Sequence, residues 1–252
     1  RNFNPALGYI NRSNIQDYAA DVGYTHYFDS DYWQQVFTGI NAYRVEVIDG
    51  GLQSEELKFR LLELQNNTRD SFQFGHTRSK EVVLSPFTIY SEPTRSVTIN
   101  PGSYEFDTFD FSIDTGSQRE FSTGFSYLRG DFYDGETTEI GAELNWNQSR
   151  YFVMSLGHEW TDVDLPQGDF IARLSSLSTQ VAFSSTLYWI SLVQYDNLSE
   201  NMGINTRLHW IPEAGQEAFI VLNYNLQDQD KDNTFHSTQS NLSLKFKYTF
   251  RY

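Results

Sequence analysis

The sequence predicts an all-β protein, a transmembrane antiparallel up-and-down β-barrel of about 14 strands. Three observations carry that expectation. The last eleven residues place Leu242, Leu244, Phe246, Tyr248, Phe250 and Tyr252 at every even position. Every odd position between them is polar or cationic, a period of two that makes one face of an extended strand apolar and the other wet. Aromatics make up 16 % of the 252 residues, yet the mean hydropathy is polar and no apolar run approaches the ~18 residues of a helical span. Strand-like stretches of the same alternating kind then recur along the whole chain, and a membrane barrel, in which only every second residue meets lipid, produces that combination.

A chain that closes on an aromatic residue is unusual for a soluble domain, because termini fray. In a barrel the same strand pairs with the first to close the ring, so Leu242, Leu244, Phe246, Tyr248, Phe250 and Tyr252 read as its closing and assembly signal. Further strands follow backwards from it. Ala218, Ile220, Leu222 and Tyr224 alternate with Asn223 and Asn225; Met202, Ile204, Leu208 and Trp210 alternate with Asn205, Arg207 and His209. In 138–146, Ile140, Ala142, Leu144 and Trp146 oppose Glu139, Gly141, Glu143 and Asn145. Phe121, Phe125 and Tyr127 oppose Ser122, Gly124 and Ser126, and Phe152, Met154 and Leu156 oppose Ser155, Gly157 and Glu159. The stretch 187–195 is apolar on both faces, which leaves its orientation open.

Toward the N-terminus, 36–47 changes phase near Gly39, a sign of a β-bulge. Leu57, Phe59 and Leu61 alternate with Lys58 and Arg60; Phe109, Phe111 and Ile113 alternate with Asp110 and Ser112. Phe72 and Phe74 begin another strand, Tyr18, Val22 and Tyr24 belong to one more, and 6–10 reads as a short first strand. No amphipathic helix of ordinary length is found. The chain reads as one domain, 1–252, and Arg1 marks it as a mature or truncated product.

With a periplasmic C-terminus, the connections should alternate between long external and short periplasmic loops. The external candidates are 227–234, 196–201, 162–169, 129–137, 83–103 and 49–54; the periplasmic ones are 212–215, 184–186, 147–150, 115–119, 65–70 and 29–32. The first group is generally longer and richer in Gly, Pro and Asp.

The chemistry legible in the residues is sparse. Cys is absent, so no disulfide or thiolate metal site exists, and a net charge of −15 argues against a nucleic-acid partner. The loop 228–233 opens like a calcium loop, but Asn233 stands where that loop needs Gly and Gln239 where it needs a bidentate Glu. It reads as a solvated loop, as does the group Asp162, Asp164 and Asp169 around Pro166 and Gly168. His26, His76, His158, His209 and His236 form no ligand-spaced pair. A barrel lipase would need a Ser and a His on one strand face, oriented by a third polar group, and no such set can be read from spacing. No catalytic residue, metal or cofactor is therefore assigned.

Lys58, Arg60, Asp110, Glu139, Glu143, Glu159, Arg207, Lys245 and Lys247 fall in phase with the polar face and are expected to line the lumen. Their mixed signs point to neutralising ladders between neighbouring strands. Trp146, Trp160, Trp189 and Trp210 sit toward strand ends, where interfacial girdles form.

Five motifs in order add a resemblance. They are Phe3-Asn4-Pro5-Ala6-Leu7-Gly8-Tyr9, Arg129-Gly130-Asp131-Phe132-Tyr133-Asp134-Gly135, and Asp162-Val163-Asp164-Leu165-Pro166-Gln167-Gly168-Asp169-Phe170. Leu192-Val193-Gln194-Tyr195 and Arg207-Leu208-His209-Trp210-Ile211-Pro212 complete the set. Together they resemble the C-terminal barrel half of a bacterial outer-membrane family of unknown function, whose longer members carry an N-terminal domain similar to family 9 carbohydrate-binding modules. The resemblance implies that this chain lacks an N-terminal portion, the earlier strands that precede the Asn4-Pro5-Ala6-Leu7-Gly8 motif in the family, and is part of a larger barrel, completed by a second polypeptide; the alternative is that its own strands close alone. It supplies no catalytic residues, and the sugar-binding module is not part of this sequence. The expected partners are outer-membrane lipid, lipopolysaccharide and the barrel assembly machinery. The expected role is a channel, transport or surface-anchoring component, with a barrel hydrolase or a purely structural subunit as alternatives.

Overall fold

A computed structural model describes residues 14–48, 50–92, 94–228, 232 and 234–249. Every regular element among them is a strand. In chain order these are β1 (Ile15–Tyr27), β2 (Trp33–Val47), β3 (Gly51–Asn66), β4 (Ser71–Val83), β5 (Phe87–Glu92), β6 (Arg95–Ile99), β7 (Gly102–Asp114) and β8 (Phe121–Phe132). They continue with β9 (Gly135–Ser149), β10 (Phe152–Leu165), β11 (Gly168–Ala182), β12 (Leu187–Asp196), β13 (Asn201–Trp210), β14 (Gln216–Gln227) and β15 (His236–Tyr248). Thirteen of them form one up-and-down sheet in the order β1-β2-β3-β4-β7-β8-β9-β10-β11-β12-β13-β14-β15, and β5 pairs only with β6. Twelve of the thirteen coincide with strands named from the sequence; β11 is not among those and fills the stretch between the expected connections 162–169 and 184–186.

The sheet does not close. Among the described residues, β1 and β15 each have a neighbour on one side only. The expected first strand, 6–10, and the last two members of the closing signal, Phe250 and Tyr252, lie outside the described residues.

The chain divides into two compact units. One takes Arg1–Ser112, Tyr127–Thr138 and Val163–Phe170; the other takes Ile113–Ser126, Glu139–Asp162 and Ile171–Tyr252. Within the first, the bulge expected near Gly39 is present: the β2–β3 register slips between Phe37 and Gly39. A second slip, between Arg60 and Leu62 on the β3–β4 side, corrects the expected alternation. Phe59 stays opposite His76, but Leu62 rather than Leu61 pairs with Phe74. The extra residue of the bulge turns the strand by one side chain and leaves Leu61 unpaired.

In the second unit the registers settle the ambiguous strand. Trp189 lies opposite Leu208, Val193 opposite Ile204 and Tyr195 opposite Met202. Leu187, Trp189, Val193 and Tyr195 therefore share the apolar face, because directly opposed residues of antiparallel strands project to the same side.

Two expected loops are not loops. β8 and β9 meet across residues 133–134, and β10 and β11 across 166–167. The expected asymmetry in length holds only in part: 84–101 and 228–235 exceed every connection at the opposite end, while 48–50, 133–134 and 166–167 are short. At about 3.3 Å per residue, the 15 residues of β9 span roughly 50 Å, well past a ~30 Å hydrocarbon layer.

The buried apolar core sits there, in the first unit. Val83, Val97, Ile99, Val163 and Leu165 are buried, with Ile89, Tyr90, Tyr104, Phe132, Tyr133 and Phe170 packed around them. The segments expected as loops 83–103, 129–137 and 162–169 thus assemble into one small cap. Alternation explains it: in Asp162-Val163-Asp164-Leu165, the two apolar residues are 3 % and 4 % exposed, and the β5–β6 hairpin covers them. Arg95 ion-pairs with Asp169 at 3.5 Å, and Tyr90 stacks on Phe170 at 4.8 Å. Asp169 of this motif thus belongs to the cap.

Candidate functional site: a two-faced sheet

Each unit carries an apolar face and a polar face. In the second unit the apolar rows run Leu242–Leu222, Leu244–Ile220 and Phe246–Ala218 across β14 and β15, continuing into Leu208 and Trp210 of β13. Nothing covers them. Leu242 and Leu244 are 66 % exposed and Phe246 81 %, and no hydrophobic side chain described in this unit is buried. Phe121 stacks on Trp146 at 5.8 Å, and Phe152 meets the same indole edge-on. Trp146, Trp189 and Trp210 lie near the strand ends that face turns 150–151, 183–186 and 211–215. The described C-terminal residue Thr249 donates its N–H to Gly215 O at 2.8 Å at that same end.

Along β4 and β7 of the first unit, the apolar face changes character with height. Phe72 meets Phe111 and Phe74 stacks over Phe109. One step further His76 stacks on Phe109 and its Nε2 lies 2.9 Å from Asp107. Beyond it come Lys80 and Glu105, paired at 2.8 Å, with Arg78 3.9 Å from the same carboxylate. Aromatic contacts give way to ion pairs within three pleats.

The polar faces hold the predicted charges. Arg60 pairs with Asp21 at 2.7 Å, its guanidinium lies 4.4 Å above the Phe37 ring, and Asn41 donates to the same Asp21 carboxylate at 3.3 Å. Lys58 comes within 3.9 Å of Asp110, which itself fills the space beside Gly75. Lys247 lies 3.5 Å from Glu217. These are the ladders between strands that mixed charge leads one to expect. Lys245 stands opposite Phe219. Glu139, Glu143, Glu159 and Arg207 are exposed and form no ion pair with another described residue. Asn145, in phase with Glu139 and Glu143, contacts Ser155, and Gly157, in phase with Glu159, faces Ser176. Both place these carboxylates on the polar side.

Two groupings escaped the sequence reading. His209 is 7 % exposed, paired through Nδ1 with the Tyr188 hydroxyl and stacked at 4.0 Å on Phe219. Glu217 Oε2 lies 3.7 Å from its Nε2, so Tyr188, His209, Glu217 and Lys247 form one chain of polar contacts over three strand boundaries. Only the registers bring them together: Tyr188 comes from the strand whose orientation was open. The second is on the apolar side, where His158 Nδ1 is 2.9 Å from Ser175 Oγ. That is a Ser and a His on one face, but contributed by adjacent strands, which spacing along the chain cannot show.

The calcium-like loop falls largely outside the described residues, and no group of three or more His, Asp or Glu side chains among the described residues could hold a metal ion. No protein-family model matches the chain, and no curated protein matches it.

Proposed function

We propose that this chain is a wall of a bacterial outer-membrane β-barrel, with its apolar face against lipid and its polar face against an aqueous lumen, serving as a channel or transport component. The observation that carries the reading is the uncovered apolar face of β13–β15 set against the amide- and charge-bearing face behind it. An exposed apolar patch of this size on a soluble monomer would drive association, whereas lipid satisfies it at no cost. Among the described residues β1 and β15 each have a strand neighbour on one side only, an arrangement that accommodates further strands from a second polypeptide. The tryptophan-bearing end and the described C-terminal residue then face the periplasm, and the cap stands outside with lipopolysaccharide.

Insertion is tested by expressing the chain with its native partners, washing membranes with alkaline carbonate, and recording single-channel currents in planar bilayers. Retention in the pellet together with stepwise conductance supports the reading. Release into the wash overturns the membrane placement, and a silent bilayer overturns the channel.

The His158–Ser175 contact favours a second reading, a hydrolase acting on lipid esters at the membrane surface. His158 would act as general base toward the Ser175 hydroxyl. Ester hydrolysis by the detergent-folded protein that disappears in Ser175→Ala and in His158→Gln supports it; hydrolysis absent from the parent, or unchanged in both, removes it.

A further inference from the structure

On the polar face of β12–β15, two adjacent cross-strand rows are built almost wholly of amides. One runs Leu192, Asn205, Asn223, Asn241; the other runs Gln194, Gly203, Asn225, Gln239. Together they line a groove of about 410 Å³ that contains no ionisable side chain. In a chain that is 20 % charged, none of the lining residues carries a charge. Glu217 and Lys247 stay toward the turn end of the same strands, and Arg207, one row from Asn205, is not part of the lining.

The amides are also underused. Each has two N–H donors and a carbonyl acceptor. Asn205 donates to Asn223, Asn225 donates to Gln239 at 3.3 Å, and Asn241 only accepts, from Ser243 at 2.8 Å. The side-chain amides of Asn223, Gln239, Asn241 and Gln194 donate to no described protein group, which leaves most side-chain N–H donors of the lining available to a ligand. Gly203 makes the notch: a Cβ there would meet nothing nearer than Asn225 Oδ1 at 3.5 Å, so a larger side chain would fit the backbone and fill the space. Leu192 contributes an apolar patch beside it.

We propose that this groove is a binding site for a neutral polyhydroxylated solute, a sugar of one or two rings, held on the lumen wall; the assignment rests on the reading of this face as lumen-facing. A hydroxyl both donates and accepts, and an amide answers both roles without charge. A row of them therefore matches a ring of hydroxyls, while Leu192 meets the C–H face. An ionised solute would lose hydration here without gaining a counter-charge.

The test uses the full chain folded in detergent micelles, its fold checked by heat-shifted electrophoretic mobility, with maltose as probe and sodium glutamate as charged comparison. Saturable maltose binding by calorimetry and by saturation-transfer NMR is expected, with none for glutamate. Gly203→Leu, which fills the notch, and Asn223→Leu, which removes an amide and keeps its branched shape, should each weaken maltose by about tenfold or more, equivalent to ~1.4 kcal/mol. Absence of saturable maltose binding by the folded parent overturns the site, as does maltose binding that survives both substitutions, or glutamate binding of equal strength. Should Gly203→Leu not fold, Asn223→Leu decides alone. Bilayer conductance is measured separately, so a channel that conducts without binding maltose overturns this site and leaves the membrane reading standing.

Discussion

Phe37 occupies the space above Gly23: the phenyl ring lies where a side chain at Gly23 would begin, and Gly39 opens the adjacent position from the paired strand. The ring in turn carries the Arg60 guanidinium at 4.4 Å, and Arg60 holds Asp21. Gly23→Val should push Phe37 off this seat and dislodge the pair, costing about 1–3 kcal/mol as overpacking does. Urea unfolding in detergent, followed by tryptophan fluorescence, reads the loss. A midpoint equal to that of the parent would show that Phe37 has an alternative seat.

Lipid contact makes an asymmetric demand on neighbouring residues of one strand. Leu244→Arg places a cation on the apolar face and should cost about 2–4 kcal/mol at mid-depth. Ser243→Arg, one residue away on the other face, should stay within about 0.5 kcal/mol. Folding equilibria in vesicles compare the two. Equal costs would contradict a lipid-facing Leu244.

The cap has its own core and should open by itself. Ile99 is fully buried within it, so Ile99→Ala should cost about 2–5 kcal/mol, localised to β5, β6 and the tips they cover. Limited proteolysis should then cut within 84–101 while the heat-shifted mobility of the sheet is retained. Cleavage no faster than in the parent would show that Ile99 does not hold the hairpin.

Alkali should loosen the same cap. Burial, reinforced by the Glu81 carboxylate 3.2 Å away, pushes the Tyr133 hydroxyl up to about 12 from the ordinary 10.0. The folded cap prefers the neutral phenol, so this contribution to stability is complete below pH 10 and drains away as pH rises toward 12. Phenolate absorbance should show a late-titrating tyrosine that Tyr133→Phe removes. Proteolytic opening within 84–101 should accelerate over the same interval in the parent, and less in that variant.

By itself the sequence determined the all-β class and twelve of the thirteen strands of the main sheet, because a period of two is a local property that the backbone must obey. It also located the bulge at Gly39, where the phase visibly breaks. Tertiary structure decided the rest. Residues 83–103, 129–137 and 162–169 carry the Gly, Pro and Asp of loops, and only their mutual packing turns them into strands around Val163, Leu165 and Ile99. The placement of His158 against Ser175, of Tyr188 against His209, and of six amides around Gly203 depends on the register between strands, which no single strand contains. So does the closing strand. Leu242, Leu244, Phe246 and Tyr248 project from one face as their alternation requires, but what lies beyond the free edge of β15 is set by pairing between strands.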